Sequence, residues 1–105
     1  ADFRTRRVDA FREDEGNVVT LRFDAPHTVS AVVLEEDIAQ GQRIDEAVVT
    51  SCVEGSPEQE IARVHCVGYR RIITLDKPVT ATRVRVTVTT SRQGFYLADV
   101  YAVRA

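Results

Sequence analysis

The 105-residue chain lacks several features that would assign it to a functional class at once. It contains no tryptophan and no methionine, and it has no basic excess, because 14 Lys and Arg stand against 16 Asp and Glu for a net charge of −2. Since nucleic-acid-binding domains are usually clearly basic, this balance gives no electrostatic basis for binding nucleic acid. No apolar run approaches the ~20 residues of a membrane-spanning helix, and no signal-peptide core is present, so no membrane partner is predicted.

Cysteine and histidine are too sparse to indicate a disulfide framework or a metal site. A hairpin turn at Glu54–Pro57 would place Cys52 roughly opposite Gln59, which leaves Cys66 about seven residues, or more than ~20 Å, further along the strand. A disulfide tolerates a Cα separation of only ~7 Å, so we predict two free thiols. His65 and Cys66 are neighbours on a strand and point to opposite faces, and no second pair has metal-ligand spacing.

Catalytic motifs are also missing. Nothing in the sequence resembles a nucleophile elbow or a phosphate-binding loop. A serine or cysteine, a histidine and an acid are all present, but their mutual placement cannot be deduced from the sequence. We therefore predict no enzymatic activity in this chain. Because the chain begins abruptly at Ala1-Asp2-Phe3, we expect it to be part of a longer protein.

The sequence does contain short apolar segments with strand periodicity, separated by glycine and proline turns. The clearest is Val84, Val86 and Val88, which alternate with polar residues as expected for a half-buried strand. About seven such segments and no convincing helix predict a single all-β domain, an antiparallel β-sandwich or jelly roll. The segments are residues 18–23, 29–34, 44–53, 59–64, 70–75, 83–89 and 97–103.

Three local features refine this prediction. Residues 29–34 are apolar on both faces, so we expect them to form a central strand that is covered on both sides. Pro26 and Pro78 are expected to break strands, because proline cannot donate to a sheet ladder. Residues 1–16 are dense in charge and fit either a turn of helix or an irregular lead-in with a short edge strand. The predicted sandwich therefore spans residues 17–105.

Charged side chains stand at the predicted strand ends. Glu36 and Asp37 follow one buried strand, and Arg43 precedes the next. Arg70 and Arg71 begin a further strand, and we expect all of these residues at the same end of the sandwich. Because neighbouring strand residues face opposite sides, one of Arg70 and Arg71 should pair with a carboxylate while the other faces solvent or a partner. Arg43 is our first choice as the partner of the acidic step.

This combination of groups fits either of two roles. Carboxylates and guanidinium groups suit the vicinal hydroxyls of a sugar, and tyrosine rings supply an apolar face. Alternatively, the acids and arginines pair with one another and tie loops together, as is common at loop ends. The candidate ligand-binding residues are Glu36, Asp37, Arg43, Tyr69, Arg70, Arg92 and Tyr96.

Several segments, taken in order, resemble one known family. They are Val33–Ile38 continuing through Gly41–Ile44, Gln59–Ala62, Val67–Ile72, Thr82–Val86 and Tyr96–Asp99. This pattern, from about Val18 to Val103, resembles the C-terminal β-sandwich of bacterial α-L-fucosidases, a member of the galactose-binding-like (discoidin, coagulation-factor C-type) superfamily.

The resemblance implies a jelly roll and a non-catalytic accessory or carbohydrate-binding domain beside a glycoside hydrolase. Its partner would be a glycan or the catalytic barrel of its parent enzyme, which carries the catalytic carboxylates. A protein-interaction sandwich that uses the same loop edge is the alternative. The resemblance implies a bacterial parent and leaves its localisation open.

The resemblance also bears on cofactors. Many relatives hold a structural calcium in a loop after the first strand, and Asp99 stands where they often carry a calcium-associated glutamate. That loop is not recognisable in residues 1–16, so no cofactor is predicted. Asp99 would be a metal contact only if a calcium is present.

Overall fold

The computed structural model describes residues 6–36, 44–65, 70–91 and 97–105. In these ranges it contains six antiparallel strands. They are β1 (Phe11–Glu15), β2 (Val18–Glu36), β3 (Ile44–Cys52), β4 (Gln59–His65), β5 (Arg71–Ser91) and β6 (Leu97–Arg104). The all-β prediction is confirmed. Within the same ranges, no helix is long and apolar enough to cross a membrane.

The strands are fewer and longer than predicted, because β2 and β5 each combine two of the predicted segments. The strand order is β1-β2-β5-β3-β4, and β6 pairs with β2. The first half of β2 pairs with β1 and with the second half of β5, whereas its second half pairs with β6 and with the first half of β5. Both long strands therefore pass from one layer of the sandwich into the other. We call the layer with β1, β3 and β4 the first layer and the layer with β6 the second layer.

The prediction that Pro26 and Pro78 end strands is wrong, because both residues lie in bulges. The register between β2 and β5 shifts between Arg22 and His27, so Pro26 has no β5 partner. It shifts again between Val29 and Ala31, which leaves residues 75–78 of β5 without partners in the ladder. A bulge needs no backbone donor and increases the local bend, so proline is tolerated where the strand turns into the other layer.

The core lies between the two layers, as the alternation predicts. Val84 and Val86 are fully buried in the first layer, and Val32 and Leu34 are fully buried in the second. Burying one such side chain contributes ~1.5–3 kcal/mol relative to leaving it exposed. Ala31 and Val33 face the other side of β2 and are buried too, so the prediction of a central strand covered on both faces is confirmed.

The segment before β2 closes one edge of the sandwich. Phe11–Glu15 is an edge strand, joined to β2 by a tight turn in which Gly16 has φ of 59°. Ahead of it, the backbone N–H of Val8 donates to the carbonyl of Ala102 in β6 at 2.9 Å. The chain thus crosses from the edge of the second layer to the edge of the first.

Candidate functional site

One end of the sandwich gathers the ends of several strands. Glu36, the last residue of β2, pairs with Leu97 at the start of β6, and Leu34 pairs with Arg71 at the start of β5. In the other layer, Ile44 at the start of β3 pairs with Ser91 at the end of β5. We call this end, defined by Glu36, Ile44, Arg71, Ser91 and Leu97, the loop end.

A buried carboxylate joins the two layers at the loop end. The backbone N–H of Ile44 donates to Oε2 of Glu36 at 3.1 Å, and Glu36 is only 2% exposed. A buried charge is costly unless it is hydrogen-bonded, and a backbone donor is a strong partner for a carboxylate. Glu36 therefore fixes the end of β2 against the start of β3. This geometry makes Glu36 a structural anchor. Contact between Glu36 and a ligand stays a prediction.

Arg70 lies directly before β5 and is exposed at the same end. Its Nη2 donates to the hydroxyl of Tyr101 at 3.2 Å. Tyr101 is 1% exposed, and the guanidinium carbon of Arg7 lies 4.6 Å from the centre of its ring, a cation–π contact. Arg71, the first residue of β5, is also exposed. Glu36, Arg70 and Arg71 therefore share one end of the molecule.

Asp99, the residue considered for calcium, accepts two hydrogen bonds from Arg7. The guanidinium nitrogens lie 2.9 Å and 3.1 Å from its two carboxylate oxygens. This bidentate pair is a typical arginine–carboxylate geometry. No group of three or more potential metal ligands occurs in the part of the chain that the structure describes.

Sequence reasoning missed the roles of Tyr101 and Arg7. A signal for Tyr101 was present, because Asp99, Tyr101 and Val103 alternate and so share one face of β6. No comparable signal exists for Arg7, which is separated from Asp99 by 92 positions in the sequence. The remaining candidates lie outside the described residues, and so does the predicted ion pair of Arg43 with the acidic step. They are Asp37, Arg43, Tyr69, Arg92 and Tyr96.

The observed hairpin register lies within one residue of the predicted one, because Ser51 pairs with Gln59. Cys52 is a buried free thiol, and its Sγ donates to the carbonyl of Ser56 at 3.1 Å. At the other end of the hairpin His65 pairs with Glu46, which is six residues, or ~20 Å, from Cys52 along β3. The other cysteine, Cys66, lies outside the described residues.

The outward face of the first layer carries charges that are paired with one another. Glu58 lies 3.1 Å from Arg83 and 2.7 Å from Arg85. Glu46 contacts Arg63 at 3.0 Å and accepts a hydrogen bond from the Thr89 hydroxyl at 2.5 Å. The hydrogen bond from this hydroxyl is the main reason that the pKa of Glu46 lies below its ordinary value. The charge of Arg63 lowers this pKa further, by a smaller amount. This charge pattern is typical of a solvated sheet face.

Comparison with known proteins gives matches at the level of structure. No protein-family model matches the sequence, and no curated protein matches it. A protein assigned as an α-L-fucosidase from Bacteroides thetaiotaomicron matches 90% of this chain at 26% identity and a TM-score of 0.81. A glycoside hydrolase 29 family member from an unknown rumen bacterium matches 91% of it at 25% identity and a TM-score of 0.83.

The chain matches only a part of these proteins. It spans only 21% of the Bacteroides protein and 18% of the rumen protein. The family 32 carbohydrate-binding module of Streptococcus pneumoniae EndoD matches over 94% of both chains, with a TM-score of 0.70 and 19% identity, which shows a shared fold. The resemblance to a sandwich domain of α-L-fucosidases is confirmed, and so is the sandwich fold.

Proposed function

We propose that this chain is a non-catalytic accessory domain of an α-L-fucosidase-like glycoside hydrolase and that it binds carbohydrate at its loop end. One observation carries the proposal: the structural match covers 90% of this chain but only 21% of the fucosidase chain. A unit of this size within a larger hydrolase, with the fold of a carbohydrate-binding module over 94% of its length, fits an accessory role.

The chemistry at the loop end supports carbohydrate as the ligand. Arg70 presents a guanidinium group at the surface, and Arg71 is exposed beside it. Five N–H donors in a fixed plane suit the paired hydroxyls of a pyranose ring. Asp37, Arg43, Tyr69, Arg92 and Tyr96 remain part of the proposal as ligand contacts.

The anchors of the loop end support a preformed site. Glu36 fixes the end of β2 to the start of β3, and the Tyr101 hydroxyl accepts a hydrogen bond from Arg70. Side chains held in this way lose less conformational freedom when a ligand binds, which favours affinity.

The test is a titration of backbone amide NMR shifts with L-fucose, galactose and a fucosyllactose. Affinity for single sugars is expected in the millimolar range, or about −4 kcal/mol. We expect saturable shifts at Arg70, Arg71 and Leu97, which weaken in Arg70→Ala. The matched control is Arg104→Ala, because Arg104 is also exposed but lies at the opposite end of β6.

The alternative role at the same loop end is docking onto the catalytic barrel. Ile72 is 38% exposed directly after Arg71, so an apolar side chain accompanies the charged ones. Shifts at Arg70 and Ile72 on addition of the parent catalytic domain, with none on addition of sugars, would favour docking and exclude carbohydrate binding at this end.

A further inference from the structure

A row of side chains crosses the first layer at the end opposite the loop end. Phe11 pairs with Arg22, Arg22 pairs with Arg83, and Arg83 pairs with Cys52, so the row crosses four adjacent strands. Directly opposed residues on neighbouring strands share a face. The neighbouring residues Leu21 and Val84 point into the core, so this row faces outward.

Two clefts flank Arg22 at this end. One, of about 440 Å³, is lined by Glu54, Ser56, Thr82 and Arg83 together with Arg22 and Phe23. The other, of about 410 Å³, is lined by Asp9, Phe11 and Asp24 with the same Arg22 and Phe23. Both volumes lie within the ~300–1,000 Å³ of small-molecule sites. The two clefts share Arg22 and Phe23. We call the two clefts together the base groove.

The base groove exposes an aromatic ring that the fold does not require. Phe11 is 68% exposed, whereas the other exposed large apolar side chains in the described ranges, Val53 and Ile72, are each 38% exposed. Phe11 stands on an edge strand whose other outward residues, Glu13 and Glu15, are charged. Most of the ring is therefore available to pack against a ligand.

Donors and acceptors of both signs surround this ring. The side chain of Arg22 is 51% exposed and that of Asp24 is 90% exposed. Arg22 is paired with Glu13, and Arg83 is paired with Glu58, so the positive charges are locally balanced. This balance disfavours an anionic ligand and suits a neutral one that carries many hydroxyls. An exposed ion pair is weak in water, so Arg22 can exchange its partner for a ligand at little cost.

We propose that the base groove is a second carbohydrate site that binds a neutral oligosaccharide. A pyranose ring packs against Phe11, and its hydroxyls bond with the guanidinium group of Arg22 and the carboxylate of Asp24. The proposal shares with the proposed function only the class of ligand. Its location is separate, because the row from Phe11 to Cys52 lies at the end of the first layer opposite Ile44 and Ser91.

The experiment compares amide shifts at both ends of the intact chain during titration with a neutral fucosyllactose and, separately, with sialyllactose. We expect saturable shifts at Phe11, Arg22, Gly55 and Arg83 with the neutral sugar. Phe11→Ala should weaken this response about tenfold, a loss of about 1.4 kcal/mol. Glu15→Ala, on the same outward face of β1, is the matched control and should leave it unchanged. Arg22→Gln gives a second variant should Phe11→Ala fail to fold.

The outcomes separate this site from the one at the loop end. Amide shift changes confined to residues of the loop end would contradict a carbohydrate site in the base groove. The proposed function would then still stand. Shifts confined to the base groove would support the second site and exclude sugar binding at the loop end. A response to sialyllactose alone would overturn the neutral ligand class. A response of Phe11 to the parent catalytic domain but to neither sugar would identify a docking surface and overturn the second site.

Discussion

At the scale of single residues, the loop end depends on a few polar groups that the interior holds in place. Glu36 reaches across the layers to the N–H of Ile44, and Tyr101 accepts a hydrogen bond from Arg70. The positions of Glu36 and Arg70 at strand ends could be predicted from the sequence, because turn residues and apolar runs mark strand ends locally. The sequence could not assign their partners, since Arg70 and Tyr101 are 31 positions apart and meet only through the pairing of long strands.

Replacing Glu36 tests its role as an anchor. Glu36→Ala leaves the buried N–H of Ile44 without its acceptor, so the free energy of unfolding should fall by ~1–3 kcal/mol. Glu36→Gln keeps a carbonyl acceptor and should lose less. Urea unfolding measures both, with Glu54→Ala in the exposed turn as the control, expected within ~0.5 kcal/mol of the parent. Equal stability of Glu36→Ala and the parent chain would exclude the anchor.

At the scale of strands, alternation predicted the inward faces well. Val84, Val86 and Val88 are buried as predicted. The division into strands was less predictable, because proline in a loop and proline in a bulge look alike in sequence. Only the β2–β5 register, which joins distant parts of the chain, shows that the strands continue past Pro26 and Pro78.

The turn between β1 and β2 offers a test at this scale. Gly16 has φ of +59°, and a Cβ at this position would meet no atom within 4 Å. Any effect of Gly16→Ala must therefore come from the backbone conformation, which costs an L-residue ~1–2 kcal/mol. Gly16→Asn should be milder, because asparagine tolerates this region. Thermal unfolding of both variants checks the order, and an alanine variant as stable as the parent chain would contradict it.

At the scale of the whole molecule, paired charges make stability depend on pH. Hydrogen bonding to Thr89 lowers the pKa of Glu46 from its ordinary value of 4.5, and hydrogen bonding to Arg12 lowers that of Asp14 from 3.8. A carboxyl whose pKa is lower in the folded state stabilises the fold fully above its unfolded pKa, and this contribution is lost as pH falls through the folded pKa.

The chain should therefore lose stability as pH falls below about 4.5, in the range where these carboxylates become protonated. Glu46→Gln should remove part of this dependence and leave the rest, because Asp14 still titrates. Urea midpoints measured between neutral and acidic pH check the prediction. The same slope in Glu46→Gln and in the parent chain would show that Glu46 does not contribute.

The last prediction concerns catalysis by the isolated chain. Glycoside hydrolysis requires two carboxyl groups flanking one bond, about 5–9.5 Å apart. Several carboxylates in the described ranges are instead engaged with cations, Asp99 with Arg7 and Glu58 with Arg83 and Arg85. The chain also spans only 21% of the fucosidase that it matches, so most of that protein has no counterpart here. We expect no release of nitrophenol from an aryl α-L-fucoside, with an active α-L-fucosidase as the positive control. Release that disappears in Asp37→Ala or Glu36→Ala, while the fold is retained, would place an active site in this chain and overturn the proposed accessory role.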